Sequence, residues 1–188
     1  MKRKLLLHVC CGPCSLHVLQ KLQADFAVSG FFYNPNIQPF REFAFRRQEV
    51  EKIAAKLGWS MVYGAYDMAE WFAAVRGWER EPERGKRCPL CFRFRLEKTF
   101  RYARAHGFAI VASTLSISPY KATAQINEQG LALAREHGVE FLPENFKKHD
   151  GFLISRRQAA AFGVQHQDYC GCVFSKAEKL LRQRSSSR

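Results

Sequence analysis

No apolar run in the 188-residue chain approaches the roughly 20 residues that a membrane-spanning helix needs. Lys4 to Val9 is too short for the core of an export signal, and no small-residue cleavage site follows it. The expectation is a cytoplasmic protein with no membrane partner. No linker rich in Gly or Ser divides the sequence. A content of 47% hydrophobic and 25% charged residues, with 16 Phe, excludes intrinsic disorder, a collagen-like repeat and a coiled coil. A chain of this length can bury roughly 70% of the surface it exposes when unfolded. Residues 1–184 are therefore expected to form one domain. Order is expected to fade from Arg182 into a disordered basic tail at 185–188.

Acidic residues are scarce as well: 17 Asp plus Glu stand against 30 Lys plus Arg, for a net charge of +13. Such an excess suits a polyanionic partner, because cationic side chains neutralise phosphates and release their counterions. The cations run through Arg46, Arg47, Arg84, Arg93, Lys147 and Lys148 rather than gathering in a tail. That spread predicts a broad face, against the alternative of a generally basic surface with no such partner.

What the chain has in quantity is cysteine. Its seven fall in three tight groups, Cys10-Cys11-Gly12-Pro13-Cys14, Cys88-Pro89-Leu90-Cys91 and Cys170-Gly171-Cys172. Without an export signal a disulfide framework is not expected, since the cytosol keeps thiols reduced, and the grouping points to metal or redox chemistry. Structural zinc takes four ligands, most often from two Cys-x-x-Cys knuckles. Cys88 and Cys91 fit one knuckle, but Cys-Gly-Cys is too tight for the other, and seven thiolates exceed one zinc site. Iron-sulfur clusters take three or four thiolates, so seven can feed a cluster and a second metal. A redox dithiol at Cys10 to Cys14 stays open beside this, since a helix N-terminus lowers a thiol pKa.

The chain alternates strand and helix patterns. Strands are expected at Lys4–Val9, Phe26–Tyr33, Ser60–Tyr63, Phe108–Ser113 and Val139–Leu142, and helices at Ser15–Gln23, Glu42–Leu57, Cys88–His106, Lys121–His137, Ile154–Phe162 and Phe174–Gln183. Another helix is expected to run from an Asp67 N-cap to Val75. This is an α/β protein: a mostly parallel sheet with helices on both faces, whose ligands bind beyond the carboxyl ends of its strands. The Cys10 loop and Ser113 to Lys121 both follow such ends and should meet at one rim. His8 is expected to be a hydrogen-bonded core residue. His166 is a possible ligand, and Asp67 and Asp168 are open to ligand or proton-donor roles as well as to capping and turns. Asn34 and Asn36, in Tyr33-Asn34-Pro35-Asn36-Ile37, would form a polar rim.

These groups, with Tyr33 to Ile37, Glu83 to Cys91, Ser113 to Lys121, Asn145-Phe146-Lys147-Lys148 and Tyr169 to Cys172, make a combination that resembles the cobalamin-independent epoxyqueuosine reductases of the QueH type. The one departure noted is Gly12, where alanine is frequent. The resemblance implies a fold similar to the adenine-nucleotide alpha hydrolases, a 4Fe-4S cluster with a second, mononuclear iron, and the last step of queuosine formation in tRNA. Cys10, Cys11, Cys14, Cys88, Cys91, Cys170 and Cys172 would be the metal ligands. Asp168, Tyr169 or Lys121 would protonate the departing oxygen, while Asn34, Asn36, Ser116, Ser118 and Tyr120 would contact substrate. Arg46, Arg47, Arg93, Lys147 and Lys148 would hold the RNA, and an external protein would donate electrons. Removal of an epoxide oxygen to leave an alkene takes two electrons and two protons, which ordinary side chains cannot provide.

Two readings compete. An ATP-dependent tRNA sulfur-inserting enzyme would share the fold but needs a Ser-Gly-Gly-x-Asp-Ser loop for pyrophosphate, where this chain has Cys10-Cys11-Gly12-Pro13-Cys14-Ser15. A non-catalytic zinc module that binds RNA would be colourless. Within the preferred reading, Cys88, Cys91, Cys170 and Cys172 are expected to hold the cluster, and Cys10, Cys11 and Cys14 the second iron or the cluster's remaining position.

Overall fold

The computed structural model describes residues 1–165 and 167–186. His166 and residues 187 and 188 lie outside the described residues. In chain order the elements are β1 (Arg3–Val9), α1 (Gly12–Gln23), β2 (Phe26–Phe32), α2 (Phe40–Leu57), β3 (Met61–Tyr63), α3 (Met68–Ala74), α4 (Arg87–Ala105), β4 (Ile110–Ser113), a 3-10 turn (Thr114–Ile117), α5 (Thr123–His137), β5 (Glu140–Phe141), α6 (Gly151–Ala161) and α7 (Val173–Ser186). The strands form one sheet in the order β3-β2-β1-β4-β5, every neighbouring pair parallel.

The uninterrupted Leu5-Leu6-Leu7 run follows from a strand covered on both sides, because successive side chains point to opposite faces. Leu5, Leu7 and Val9 pack with Val18 and Leu19 of α1 and Phe43 and Val50 of α2. Leu6 packs on the other face with Leu96 and Phe100 of α4 and Leu133 of α5. All four strand residues are fully buried, and each such side chain contributes about 1.5–3 kcal/mol. Helices α2 and α5 stop where Gly58 and Gly138 take left-handed φ of 60° and 66°.

The order places β1 at the centre, with the chain leaving to β2 on one side and returning through β4 on the other. The crevice beyond the carboxyl ends of β1 and β4 is the topological switch point at which ligands bind in such sheets. The two loops there do meet: the Cys10 N–H donates to Thr114 Oγ1 at 3.1 Å, and that hydroxyl donates to Cys10 Sγ at 3.3 Å.

Three local expectations are corrected. Helix α7 continues through Ser186, so residues 182–186 are helical rather than disordered. Helix α6 begins at Gly151, a turn earlier than its apolar spacing suggests. Asp67 precedes α3 but makes no capping bond; its carboxylate accepts from Tyr33 OH at 2.8 Å and pairs with Lys98 at 3.1 Å.

Candidate metal centre and active site

Strand β1 ends at Val9, and the next residues turn at once into α1, whose first turn carries Pro13. This compact turn brings the Cys10, Cys11 and Cys14 sulfurs within 4.8 Å of one another, all buried. Cys10 and Cys11 are 3.8 Å apart. Gly12 is matched to its surroundings, since a Cβ there would lie 2.9 Å from Ile53 Cδ1. Hydrogen bonds from Cys11 and Cys14 hold the Cys10 thiol well below its usual pKa, aided by Lys121 and Arg95 against the effect of burial. Cys11, donating to Cys10, is pushed up to about 12, and Cys14 is raised by the same sharing. Within the trio the hydrogen bonding favours a thiolate at Cys10 over one at Cys11 or Cys14.

Cys88 and Cys91 lie in the first two turns of α4. Burial pushes Cys88 up to about 12, opposed by the Arg84 N–H, which donates to its sulfur at 3.2 Å. Arg84 has a left-handed φ of 75° and straps this loop to the other rim, its guanidinium donating to Tyr120 O at 3.0 Å and Pro119 O at 2.7 Å. At Cys170-Gly171-Cys172 a φ of +109° at Gly171 folds the chain back. Cys170 is held well below the usual thiol range by the hydrogen bond from Cys172, which is raised in turn. The Ser175 N–H points at Cys172 Sγ from 3.4 Å. Among the described residues no cysteine trio other than Cys10, Cys11 and Cys14 comes as close as 4.8 Å.

Cys10, Cys11, Cys14 and Cys170 open onto one cavity of about 220 Å³. The three expected proton donors, Lys121, Tyr169 and Asp168, all line it, but they differ in state. Burial works against the Lys121 charge, and the surrounding sulfurs, Cys170 first and then Cys10, outweigh it, so its pKa is raised and the ammonium persists. Tyr169 is raised mainly by burial and lies under the Arg46 guanidinium, 5.0 Å from ring to Cζ. A hydrogen bond from Lys179 lowers Asp168, which leaves it an ionised carboxylate and no reservoir of protons.

Of the residues expected to touch substrate, Ser118, Tyr120 and Arg46 line the cavity and Asn34, Asn36 and Ser116 do not. Asn34 is fully buried and spent on structure: its Nδ2 donates to Val9 O at 2.9 Å, and its Oδ1 accepts from Arg95. Asn36 and Ser116 are 1% and 2% exposed, and neither Asn36 Oδ1 nor Ser116 Oγ has a hydrogen-bond partner.

The expected RNA-binding cations do not form one free face. Arg46 is 3% exposed, pairs with Glu42 at 2.7 Å and donates to the Cys170 carbonyl at 3.2 Å. Arg47 pairs with Glu51, and Arg93 binds both oxygens of Glu136 on α5 at 2.9 and 2.7 Å. Lys147 donates to the Lys121 carbonyl at 2.9 Å. Lys148 is exposed as expected. Three of the five cations thus have an acidic partner, one helical turn or forty-three residues away.

Several site residues escaped the sequence reading. Arg95 and Glu83 line the cavity, and Thr114 contacts Cys10. Arg95 stands one helical turn beyond Cys91 and two beyond Cys88, so helix phase alone could have singled it out. His8 is the neutral core residue expected: burial, chiefly, lowers its pKa to about 3, and its Nδ1 lies 3.0 Å from Ser113 Oγ.

A five-stranded parallel sheet with thiols at its switch point defines the class: an α/β protein with a fold similar to that of the adenine-nucleotide alpha hydrolases and with a cysteine centre. The solved U34-tRNA thiolase NcsA from Methanococcus maripaludis, with its [4Fe-4S] cluster, shares this fold. It superposes with a TM-score of 0.54 at 11% identity, over 93% of this chain and 61% of the thiolase. The family model for the epoxyqueuosine reductase QueH matches residues 5–178. An epoxyqueuosine reductase QueH of Haemophilus influenzae is 41% identical over 180 residues, covering 92% of this chain and 71% of the relative. That of Thermotoga maritima is 37% identical over 187 residues, covering 97% and 95%. The chain belongs to the epoxyqueuosine reductase QueH family, a family of oxidoreductases.

Proposed function

We propose that this protein reduces epoxyqueuosine to queuosine at the wobble position of tRNA, using a 4Fe-4S cluster and a second iron held by its cysteines. The observation that carries the reading is that Cys10, Cys11, Cys14 and Cys170 open onto one cavity beside the charged Lys121 in a chain of this family. The donor set suits iron and sulfide: thiolates are cluster ligands, and seven exceed the three or four that one cluster takes. Two tetrahedral thiolates about 2.3 Å from one metal stand about as far apart as Cys10 and Cys11, at 3.8 Å. We therefore assign Cys10, Cys11 and Cys14 to the second iron or to the cluster's remaining position, and Cys88, Cys91, Cys170 and Cys172 to the cluster.

When bound, the cluster supplies electrons one at a time, delivered to it by an external donor protein. The chain's own part is protons and position. Two electrons and two protons convert the epoxide to an alkene and water, and we assign the proton source to Lys121, which lines the cavity together with the cysteines and Tyr169. Asp168 fixes Lys179 at the rim. A cavity of about 220 Å³ admits a base turned out of a single-stranded loop but not folded RNA, and Tyr120, 54% exposed, offers a ring for it to stack on. A tRNA substrate suits work in the cytoplasm.

The test is anaerobic reconstitution, with iron and sulfide assays, followed by mass spectrometry of nucleosides from tRNA bearing epoxyqueuosine. A brown protein that yields queuosine upholds the proposal. Stoichiometric zinc without sulfide, and no conversion, overturns it.

A further inference from the structure

Three arginines are buried near the cysteines, and two of them have a carboxylate. Arg46 pairs with Glu42, and Arg87, 2% exposed, has Glu178 at 3.6 Å and three backbone carbonyls. Arg95, 1% exposed, has no acidic partner among the described residues. Its one bond to oxygen is to Asn34 Oδ1, and its Nε meets no oxygen or nitrogen acceptor. A buried guanidinium without a counter-charge is strongly unfavourable, so a negative group must face it in the working protein. The Trp71 indole N–H, also 1% exposed, is orphaned in the same way. Trp71 packs against Cys91, and Arg95 follows Cys91 by one turn of α4. The two orphaned donors therefore flank Cys91, one from the apolar cluster around it and one from the next turn of its own helix.

A neutral thiol is a weak acceptor and would not satisfy two buried donors, one of them charged, whereas a thiolate would. The other groups repeat the pattern, with the Arg84 N–H on Cys88, the Ser175 N–H on Cys172 and the Thr114 hydroxyl on Cys10. At Cys91, among the described residues, one of the flanking buried donors is a full positive charge.

We infer that Arg95 is the resident counter-cation of the centre and, with the Trp71 indole, positions Cys91 as a metal-binding thiolate and raises the reduction potential of the iron–sulfur group it helps to hold. The iron–sulfur part rests on the function proposed above. A fixed cation and N–H···S bonds favour the more negative, reduced state, and such outer partners orient a ligand as well as tune it. Asn34, anchored on the Val9 carbonyl, holds the guanidinium from behind.

The experiment compares reconstituted wild type with Arg95→Met, Arg95→Lys and Trp71→Phe, read by iron release to a chelator and by the midpoint potential in spectroelectrochemistry, with circular dichroism as the check on folding. Arg95→Met is expected to weaken metal retention about 10–100-fold and to lower the potential. Arg95→Lys, which keeps the charge but not the planar donor fork, falls between, and Trp71→Phe lowers the potential less. Wild-type retention and potential in Arg95→Met overturn the inference while leaving the proposed function intact. Should Arg95→Met fail to fold, wild-type values in both other variants overturn it equally. If the wild type itself takes up no iron, the proposed function falls and cobalt(II) becomes the probe. Weaker cobalt binding with less thiolate-to-cobalt absorbance in Arg95→Met then supports the Arg95 role, and equal binding refutes it.

Discussion

Replacing Gly171 by alanine probes whether the Cys170-Gly171-Cys172 turn is shaped by backbone rather than by metal. Gly171 has φ +109°, a conformation that L residues rarely adopt, at a strain of about 1–3 kcal/mol for a side chain forced into it. The added methyl would also sit 2.9 Å from Arg46 Nη1 and 3.0 Å from Ile37 Cγ1. Arg46 cannot simply swing aside, because it is held by Glu42 at 2.7 Å and by the Cys170 carbonyl at 3.2 Å. Relaxing the turn instead would strain the bond from the Gln38 N–H to Gly171 O, now 2.9 Å. Strain and one weakened bond together come to about 3 kcal/mol, which for a chain of this size lowers Tm by about 6–12 °C. The assay is thermal unfolding of the iron-free protein, so that metal loss does not enter, alongside iron retention after reconstitution, which should also drop. A Tm within about 2 °C of wild type would show that the turn carries no strain and that metal alone organises it.

Asn34→Ala removes the acceptor of Arg95 and the donor to the Val9 carbonyl; with a charged group orphaned, stability should fall by about 3 kcal/mol in urea unfolding, and a decrease under about 1 kcal/mol would mean that Arg95 finds another partner. Lys148→Ala should lower tRNA affinity and reduce the salt slope by about 0.7–0.9 for each phosphate that is no longer neutralised, with single-turnover reduction at saturating tRNA unchanged; an unchanged slope places the RNA elsewhere. Lys147→Ala, by contrast, should alter both affinity and rate, since Lys147 also holds the Lys121 carbonyl, and a pure affinity effect would contradict that role. Cys10→Ser should remove the second iron and leave most of the sulfide; disappearance of all iron and sulfide would reverse the assignment of the two cysteine sets.

The strand-helix alternation was legible because each element is long and regular enough for local patterns to speak. Leu5 to Val9 could only be a strand buried on both faces, and Gly58 and Gly107 end helices because glycine alone takes the left-handed φ at no cost. The cysteine groups were equally plain, since spacing within a turn is a local property. The tail was misread because the polar run from Arg182 to Ser186 extends α7, which rests on the packing of its earlier turns. What no local pattern could supply is pairing across distance. Arg93 and Glu136 are forty-three residues apart and neutralise each other; Arg46 becomes an interior brace for the Cys170 turn; Asn34 meets Arg95 over sixty-one residues. Residue types and their spacing along the chain thus determined the elements, the thiols and the sheet edge where they gather. Which cations remain free, which polar groups are buried, and which sulfur receives a buried charge were decided only when the sheet closed and the helices packed, because burial and counter-charge are properties of neighbours in space.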